Sequence, residues 1–407
     1  MVKSFKTTDN IFRDETVLSD DYVPAEMPER ERELNSLTDA LQPALRGACP
    51  HNTFIYGKTG QGKTVAVKHR LKELKEATND VDIDLSVFDY SCAKDNTSYQ
   101  VVSNLIDEIT GDRPWGIPKA ALFDQLYEAL QDIGGIVILV LDEIDSIGTD
   151  DDILYELPRA RSNGHIEDMY VSVIGISNDF NFRDNLSPKV KDTLAEEEIH
   201  FTPYNANQLK PILQRRADRA FYDGVLSEDV IPLCAAFAGN DKGSARQAIR
   251  YLYSAGELAT NSGDEEVTET HVREAEKKIE RKNIEVGMRD LTVQDHLALA
   301  AVLSLEIKGE TPARTRKVYS EYKKLATLVD ARTIVMRRVR DHLQELDLNG
   351  IVAQRRQSSG IQGGPHYLWE FDSDIGITIE ILGEDARLDE ALDRIKSSSS
   401  LETEWGS

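Results

Sequence analysis

The 407 residues, 45.6 kDa in mass, combine 40% hydrophobic with 29% charged side chains, the balance of a soluble globular protein with chain enough for two or three domains, each with its own core. The longest aliphatic run, residues 135–141, is too short to cross a bilayer, no apolar stretch follows the early lysines, and Cys49, Cys92 and Cys234 stand apart with no C-x-x-C or H-E-x-x-H; a membrane span, a secretory leader, a disulfide framework and a zinc site are not expected, and the reading is cytoplasmic. Forty-eight basic against 72 acidic residues give −24, spread along the chain (Asp150 to Asp152, Glu196 to Glu198, Asp264 to Glu266) as in a protein kept soluble in concentrated salt; the alternative is an ordinary acidic protein, and solubility against KCl separates the two.

In chain order, residues 1–15 read as a flexible polar lead-in, followed by a Pro-containing turn and an amphipathic helix over 28–45. A strand at 53–56, a Gly-rich loop, a helix at 65–77 and a strand at 83–90 make a β-α-β beginning. Helical patterns at 99–109 and 119–132 flank the breaker GDRPWG, whose Trp115 is expected to pack in the turn. The all-apolar string 136–141 then reads as a buried parallel strand. A helix near 154–161, a strand at 170–177 and a fifth strand at 199–201 complete an α/β base over 16–204. Helical periods broken at Gly224, Gly239 to Gly243 and Asn261 to Gly263 form a bundle over 205–287. Three helices and a Gly-rich hairpin follow over 288–371, and an acidic tail over 372–407. Residues 290–370 hold 12 Lys/Arg against 10 Asp/Glu, a net of +2, so the rest of the chain carries −26.

The octet Gly57-Lys58-Thr59-Gly60-Gln61-Gly62-Lys63-Thr64 satisfies G-x-x-x-x-G-K-[ST] between a predicted strand and a predicted helix. There the glycines let successive backbone N–H groups face phosphate oxygens, and the helix N-terminus adds its dipole. Lys63 reaches the β- and γ-phosphates, and the Thr64 hydroxyl ligates Mg²⁺. Strand 136–141 ends in Asp142-Glu143, placing two carboxylates at the edge where ligands of open α/β sheets bind. Asp142 is expected to hold Mg²⁺ through water, and Glu143 to orient and deprotonate the water that attacks the γ-phosphate. ATP or ADP with Mg²⁺ is the expected cofactor.

At these residues the chain resembles an AAA+ ATPase, more narrowly an archaeal DNA replication initiator of the origin-recognition and helicase-loader type. The resemblance runs from Ile11 to Phe371 through IFRDETVLSDDYVPAEMPERE, PALRG, FIYGKTGQGKT, LVLDEID, SNDFNF, PYNANQLKPILQRRADRAF, GSARQAIRYLYSAGELA and HLQELDLNGIV. It implies an AAA+ P-loop NTPase base with a parallel sheet, a helical lid and a C-terminal winged-helix domain. It also implies a first sensor at Asn178, a second sensor at Arg246 reaching from the lid to the γ-phosphate, and nucleotide contacts from Tyr204 and Arg216. Where the family commonly carries Arg, this chain has Lys189, which cannot supply the planar fork of an arginine finger. Slow intrinsic hydrolysis with long-lived ADP, a weak ATPase used as a switch, is therefore expected. The implied partners are origin duplex DNA, the replicative helicase and further copies on DNA. Alternatives are a paralogous transcription regulator with a vestigial ATPase, or a remodeller of protein partners.

A helix is expected over 331–346, with Val335, Val339, His342 and Leu346 inward and Thr333, Arg337, Arg340 and Gln344 on the opposite face, flanked by Arg332 and Arg338. That is the composition of a major-groove recognition helix, and Arg355 and Arg356 would begin a basic wing whose tip is residues 358–365. His342 is expected at the core edge rather than as a ligand. In concentrated salt the screening length falls to about 3 Å at 1 M, so base contacts and DNA deformation should carry more of the affinity than counterion release.

Overall fold

The structure is a computed structural model; it describes residues 10–179, 182, 186–194, 197–289, 291–357 and 366–397. The chain divides into two compact units, Met1–Ala275 and Glu276–Ser407, with the boundary inside one helix.

Five parallel strands, β1 (Thr53–Tyr56), β2 (Leu85–Ser91), β3 (Ile136–Asp142), β4 (Tyr170–Ser177) and β5 (Glu197–His200), form a sheet in the order β2-β3-β4-β1-β5. Period-2 alternation splits β3 between two cores, because successive side chains leave opposite faces of a strand. Val137, Leu139 and Leu141 pack with α3 (Ser98–Thr110), α4 (Lys119–Ile133) and α5 (Asp152–Arg159). Ile136, Ile138 and Val140 pack with α1 (Glu31–Leu41) and α2 (Lys63–Asp80). Both faces are covered, which is why β3 reads as an unbroken apolar run. Helix α6 (Pro188–Leu194) leads into β5.

After β5 the same unit continues as helices α7 (Ala206–Ala220), α8 (Val230–Asn240) and α9 (Ala245–Ser262), then the first part of α10 (Glu269–Met288). Asn205 and Gln208 close a capping box that starts α7. The expected flexible lead-in over 1–15 is corrected from residue 10 onward; residues 1–9 lie outside the described residues. Ile11 and Phe12 are buried, Arg13 N–H donates to Ala220 O at 2.8 Å, and Phe12 meets the Phe221 ring at 4.8 Å. Gly256 of α9 has no side chain because a Cβ there would lie 2.3 Å from the Phe12 ring. Two apolar residues in a polar string are thus enough to pin it.

The second unit contains α11 (Val293–Ile307), β6 (Ala313–Arg314), α12 (Thr315–Leu328), α13 (Met336–Leu348), β7 (Val352–Gln357) and β8 (His366–Phe371), with an antiparallel sheet ordered β6-β8-β7. Two residues of β6 were not foreseen; a strand this short has no periodicity to read. Trp369 is fully buried and its indole N–H donates to Thr315 Oγ1 at 2.8 Å. The expected acidic tail is also corrected. Helices α14 (Ile375–Leu382) and α15 (Asp389–Ser397), with the 3-10 turn Ala386–Leu388 between them, seat Leu382, Leu388, Ala391, Leu392 and Ile395 in the same core as Trp369; residues 398–407 lie outside the described residues. The tail's acidic count hid an apolar stripe.

Candidate functional site

The glycine loop runs from β1 to α2. Gly60 sits at φ +81° and Gly62 at φ +86°, values that disfavour a side chain, and a Cβ on Gly60 would also lie 1.9 Å from Ser244 Oγ. Ala245 N–H donates to Gly60 O at 2.9 Å and Tyr204 N–H to Gly243 O at 3.0 Å, so the Gly243-Ser244-Ala245-Arg246 turn is clipped to the loop and to the end of the sheet.

A cavity of about 500 Å³ opens there, a size that suits a nucleotide. Thr59, Gly60, Gly62, Lys63, Thr64, Asp142, Glu143, Asn178, Tyr204, Arg216 and Arg246 all line it. Gly57, Lys58 and Gln61 are not on its wall. The Gly57 and Lys58 carbonyls accept from Lys63 Nζ at 2.7 and 2.9 Å, and the Gln61 amide is fully buried with neither polar atom partnered among the described residues.

Polar contacts join the loop to the strand ends. Lys63 Nζ donates to Asn178 Oδ1 at 2.8 Å, and Thr64 Oγ1 to Asp142 Oδ2 at 2.6 Å. Asn178 Nδ2 donates to Glu143 Oε1 at 3.4 Å, while its backbone N–H is held by Asp145 Oδ1 at 3.0 Å. Glu143 has φ +56°, a left-handed backbone, and its carboxylate accepts from Asn178 Nδ2 and, at 3.5 Å, from Ser91 Oγ at the end of β2. Burial lowers the Lys63 ammonium to about 8, against the pull of the nearby Asp142 carboxylate. A buried lysine in the first turn of α2, at the end of the glycine loop, fits an anionic ligand. The adjacent Thr64 hydroxyl and Asp142 carboxylate offer the hard oxygen donors that Mg²⁺ takes.

Two expected contacts differ in detail. Tyr204 is buried, but the cation on its ring is Arg30 at 3.8 Å. Arg216 does line the cavity, yet its guanidinium donates to Val17 O at 2.6 Å and lies 4.4 Å over Tyr22. Its charge is thus committed to a segment that carries the family resemblance but to which the sequence assigned no site role. Residues 19–28 run along the cavity, contributing Asp20, Tyr22, Pro24 and Met27 to its wall, and Asp20 Oδ1 lies 3.5 Å from Arg246 Nε. The apolar pair Val17-Leu18 was the available signal for this strap.

Arg30 was missed as well. It is 2% exposed, donates to Thr202 O at 2.6 Å, Gln61 O at 3.3 Å and Glu33 Oε1 at 2.7 Å, and so ties the start of α1 to the phosphate loop and the end of β5. Nothing in PERERE distinguishes it from its charged neighbours. Lys189 is exposed on α6, its Nζ 5.9 Å from the Tyr155 ring centroid.

In the second unit α13 starts at Met336, five residues later than expected, so Arg332 and Thr333 precede the helix. Val335 is the N-cap and 65% exposed, not inward-facing; the buried positions are Val339, Leu343 and Leu346. Arg332, Thr333, Arg337 and Arg338 are exposed. Arg340 and Gln344 are half-buried, and Arg340 Nη2 lies 3.8 Å from Asp341. His342 Nδ1 lies 2.5 Å from Asp295 Oδ1 at the core edge. Asp295 also caps α11 by accepting from Thr292 N at 2.7 Å, which accounts for the one cluster of potential metal-ligating side chains among the described residues, Asp295, His342 and Glu345. Arg355 pairs with Glu370 at 2.5 Å, and Arg356 is placed on β7 opposite Tyr367; the wing tip 358–365 lies outside the described residues. In the first unit Trp115 is 73% exposed rather than packed, its ring covered on one side by Arg113 at 4.5 Å. No helix among the described residues is long and apolar enough to cross a membrane.

Residues 50–178 match the family described as AAA domain, residues 210–277 the Cdc6 AAA+ ATPase-type lid domain, and residues 286–380 the CDC6, C terminal winged helix domain. The chain is 41% identical to ORC1-type DNA replication protein 1 of Haloarcula marismortui over 99% of each chain. It is 40% identical to the ORC1-type DNA replication protein of Pyrococcus abyssi, over 87% of this chain and 85% of that one. Among solved structures it is similar to the Aeropyrum pernix ORC1 protein in complex with DNA, with TM-score 0.76, 37% identity and coverage of 93% of this chain and 98% of that one.

Proposed function

The chain belongs to the ORC1-type, Cdc6-like family of AAA+ DNA replication proteins, and from that premise we propose that it is a nucleotide-switched replication initiator that binds origin duplex DNA and helps to load the replicative helicase. The observation that carries the reading is the pairing, in one chain, of a cavity walled by Lys63, Thr64, Asp142, Glu143 and Asn178 with a winged-helix unit that presents Arg332, Arg337 and Arg338 at the start of α13. The −24 chain keeps its cationic surplus in that winged-helix segment.

The roles follow from the contacts. Lys63, held by Asn178 and two loop carbonyls, exchanges those partners for phosphate oxygens when nucleotide enters. Thr64 and Asp142, already in contact, would hold Mg²⁺, which when bound neutralises charge on the β- and γ-phosphates. Glu143 orients and deprotonates water, and the Asn178 amide fixes that carboxylate. Arg246 leaves Asp20 for the terminal phosphate, so the lid reports which nucleotide is bound. Lys189 keeps hydrolysis slow, because a lysine presents a point charge and not a planar fork.

The DNA contacts are those of a winged helix: the start of α13 enters the major groove, while Arg355 and Arg356 sit at the root of the wing. The test is a footprint in 1 to 2 M KCl, with ADP or ATP, on the DNA flanking the protein's own gene against shuffled DNA of equal composition. Discrete protected repeats, lost in Arg337→Ala/Arg338→Ala without change in ADP affinity, support the reading. Equal binding to shuffled DNA would reject origin recognition and point to a protein partner for the basic surface.

A further inference from the structure

The start of α13 carries a feature that neither folding nor phosphate binding accounts for. Val335 is 65% exposed and Met336 43% exposed, although Val339, Leu343 and Leu346 already supply the helix's core face. The pair stands where the chain enters the helix, inside a collar of exposed Arg332, Thr333, Arg337 and Arg338. Lone exposed apolar residues are common; two in succession within a cluster of arginines call for a ligand that is both polyanionic and apolar in places.

Duplex DNA is such a ligand. Its phosphates answer the arginines, and its major groove offers one apolar projection, the thymine C5 methyl, which sits where the first residues of a recognition helix reach. Resting on the DNA-binding reading above, we propose that Val335 and Met336 read thymine methyl groups and so select A·T pairs at fixed positions of the bound site. Arg337 and Arg338 then fix the register on phosphates, and the apolar pair supplies sequence choice. The division suits a chain of charge −24, because an apolar contact keeps its strength at salt concentrations that remove most of the gain from counterion release.

The test begins with a random-sequence duplex pool, from which wild-type protein selects in 1.5 M KCl. The selected duplexes are then copied with dTTP or with dUTP, which removes only the methyl groups. Thymine at fixed positions is expected, with binding roughly fourfold weaker for each contacted methyl removed, the value of burying one methyl-sized group. Val335→Ser/Met336→Gln, at exposed positions and checked for unaltered thermal unfolding, should bind both copies equally, at the level of wild type on the uracil copy. Equal binding of the two copies by wild type overturns the proposal. So does a thymine-to-uracil ratio that persists in the double variant, since the methyl effect would then come from DNA shape. In both cases DNA binding itself stands. Retention of no duplex at all would overturn the DNA-binding reading along with the proposal, and is distinguishable for that reason.

Discussion

Replacing Arg30 by alanine tests the buried brace behind the phosphate loop. The guanidinium is 2% exposed, holds three oxygen partners at 2.6, 2.7 and 3.3 Å, and lies 3.8 Å from the Tyr204 ring centroid. Its removal leaves Glu33, itself only 14% exposed, without its cation, and takes a charged donor from the Thr202 and Gln61 carbonyls. Breaking a buried ion pair from one side costs about 3–5 kcal/mol, a large share of the roughly 5–15 kcal/mol by which a domain is stable. Urea unfolding followed by circular dichroism, in the salt the protein tolerates, should show that loss, and ADP affinity should fall with it because the Gln61 carbonyl loses its anchor. Arg30→Lys keeps the charge but not the fork, and should lose about 1.5–3 kcal/mol, the worth of a charged hydrogen bond. If Arg30→Ala unfolds within about 1 kcal/mol of wild type and binds ADP as tightly, the brace has no energetic content.

Two further outcomes concern protons. Lys63, lowered to about 8 by burial, loses its proton in the nucleotide-free protein as pH rises through that value, and phosphate oxygens restore it; calorimetry at pH 8 in two buffers of different ionisation enthalpy should show uptake of about half a proton per nucleotide, and none for Lys63→Arg. Absence of uptake at pH 8 would refute the assignment. Burial alone would raise Glu321, but hydrogen bonds from Lys308, Lys324 and Ser304 outweigh it and hold the carboxyl at about 2. Its folded value lies below the ordinary 4.5, so the stabilisation is present above pH 4.5 and is lost as pH falls toward 2, up to about 3 kcal/mol. Thermal unfolding at pH 5 and pH 3 should therefore separate wild type from Glu321→Gln, whose winged-helix unit lacks that part of the pH dependence; equal slopes would refute it.

What could be read along the chain is what neighbouring residues decide among themselves. The unbroken apolar run of β3 announces a strand covered on both faces, and the glycine octet announces a loop whose amides turn inward, because pleat, φ freedom and helix start are set within a few residues. Asp142 and Glu143 were legible as strand-end carboxylates for the same reason, Asn178 only through the family resemblance, and all three line one cavity with Lys63. Arg30 was not legible, since its meaning lies in Thr202 and Gln61, 172 and 31 residues away. The strap over the cavity, the packed helices after Phe371 and the outward turn of Val335 were hidden likewise. A charge count or a helical period says that a face is polar or apolar; only the fold decides which distant surface covers it. For Ile11, Phe12 and Leu392 that surface exists and they are buried, whereas no described residue covers the start of α13, and Val335 and Met336 are exposed.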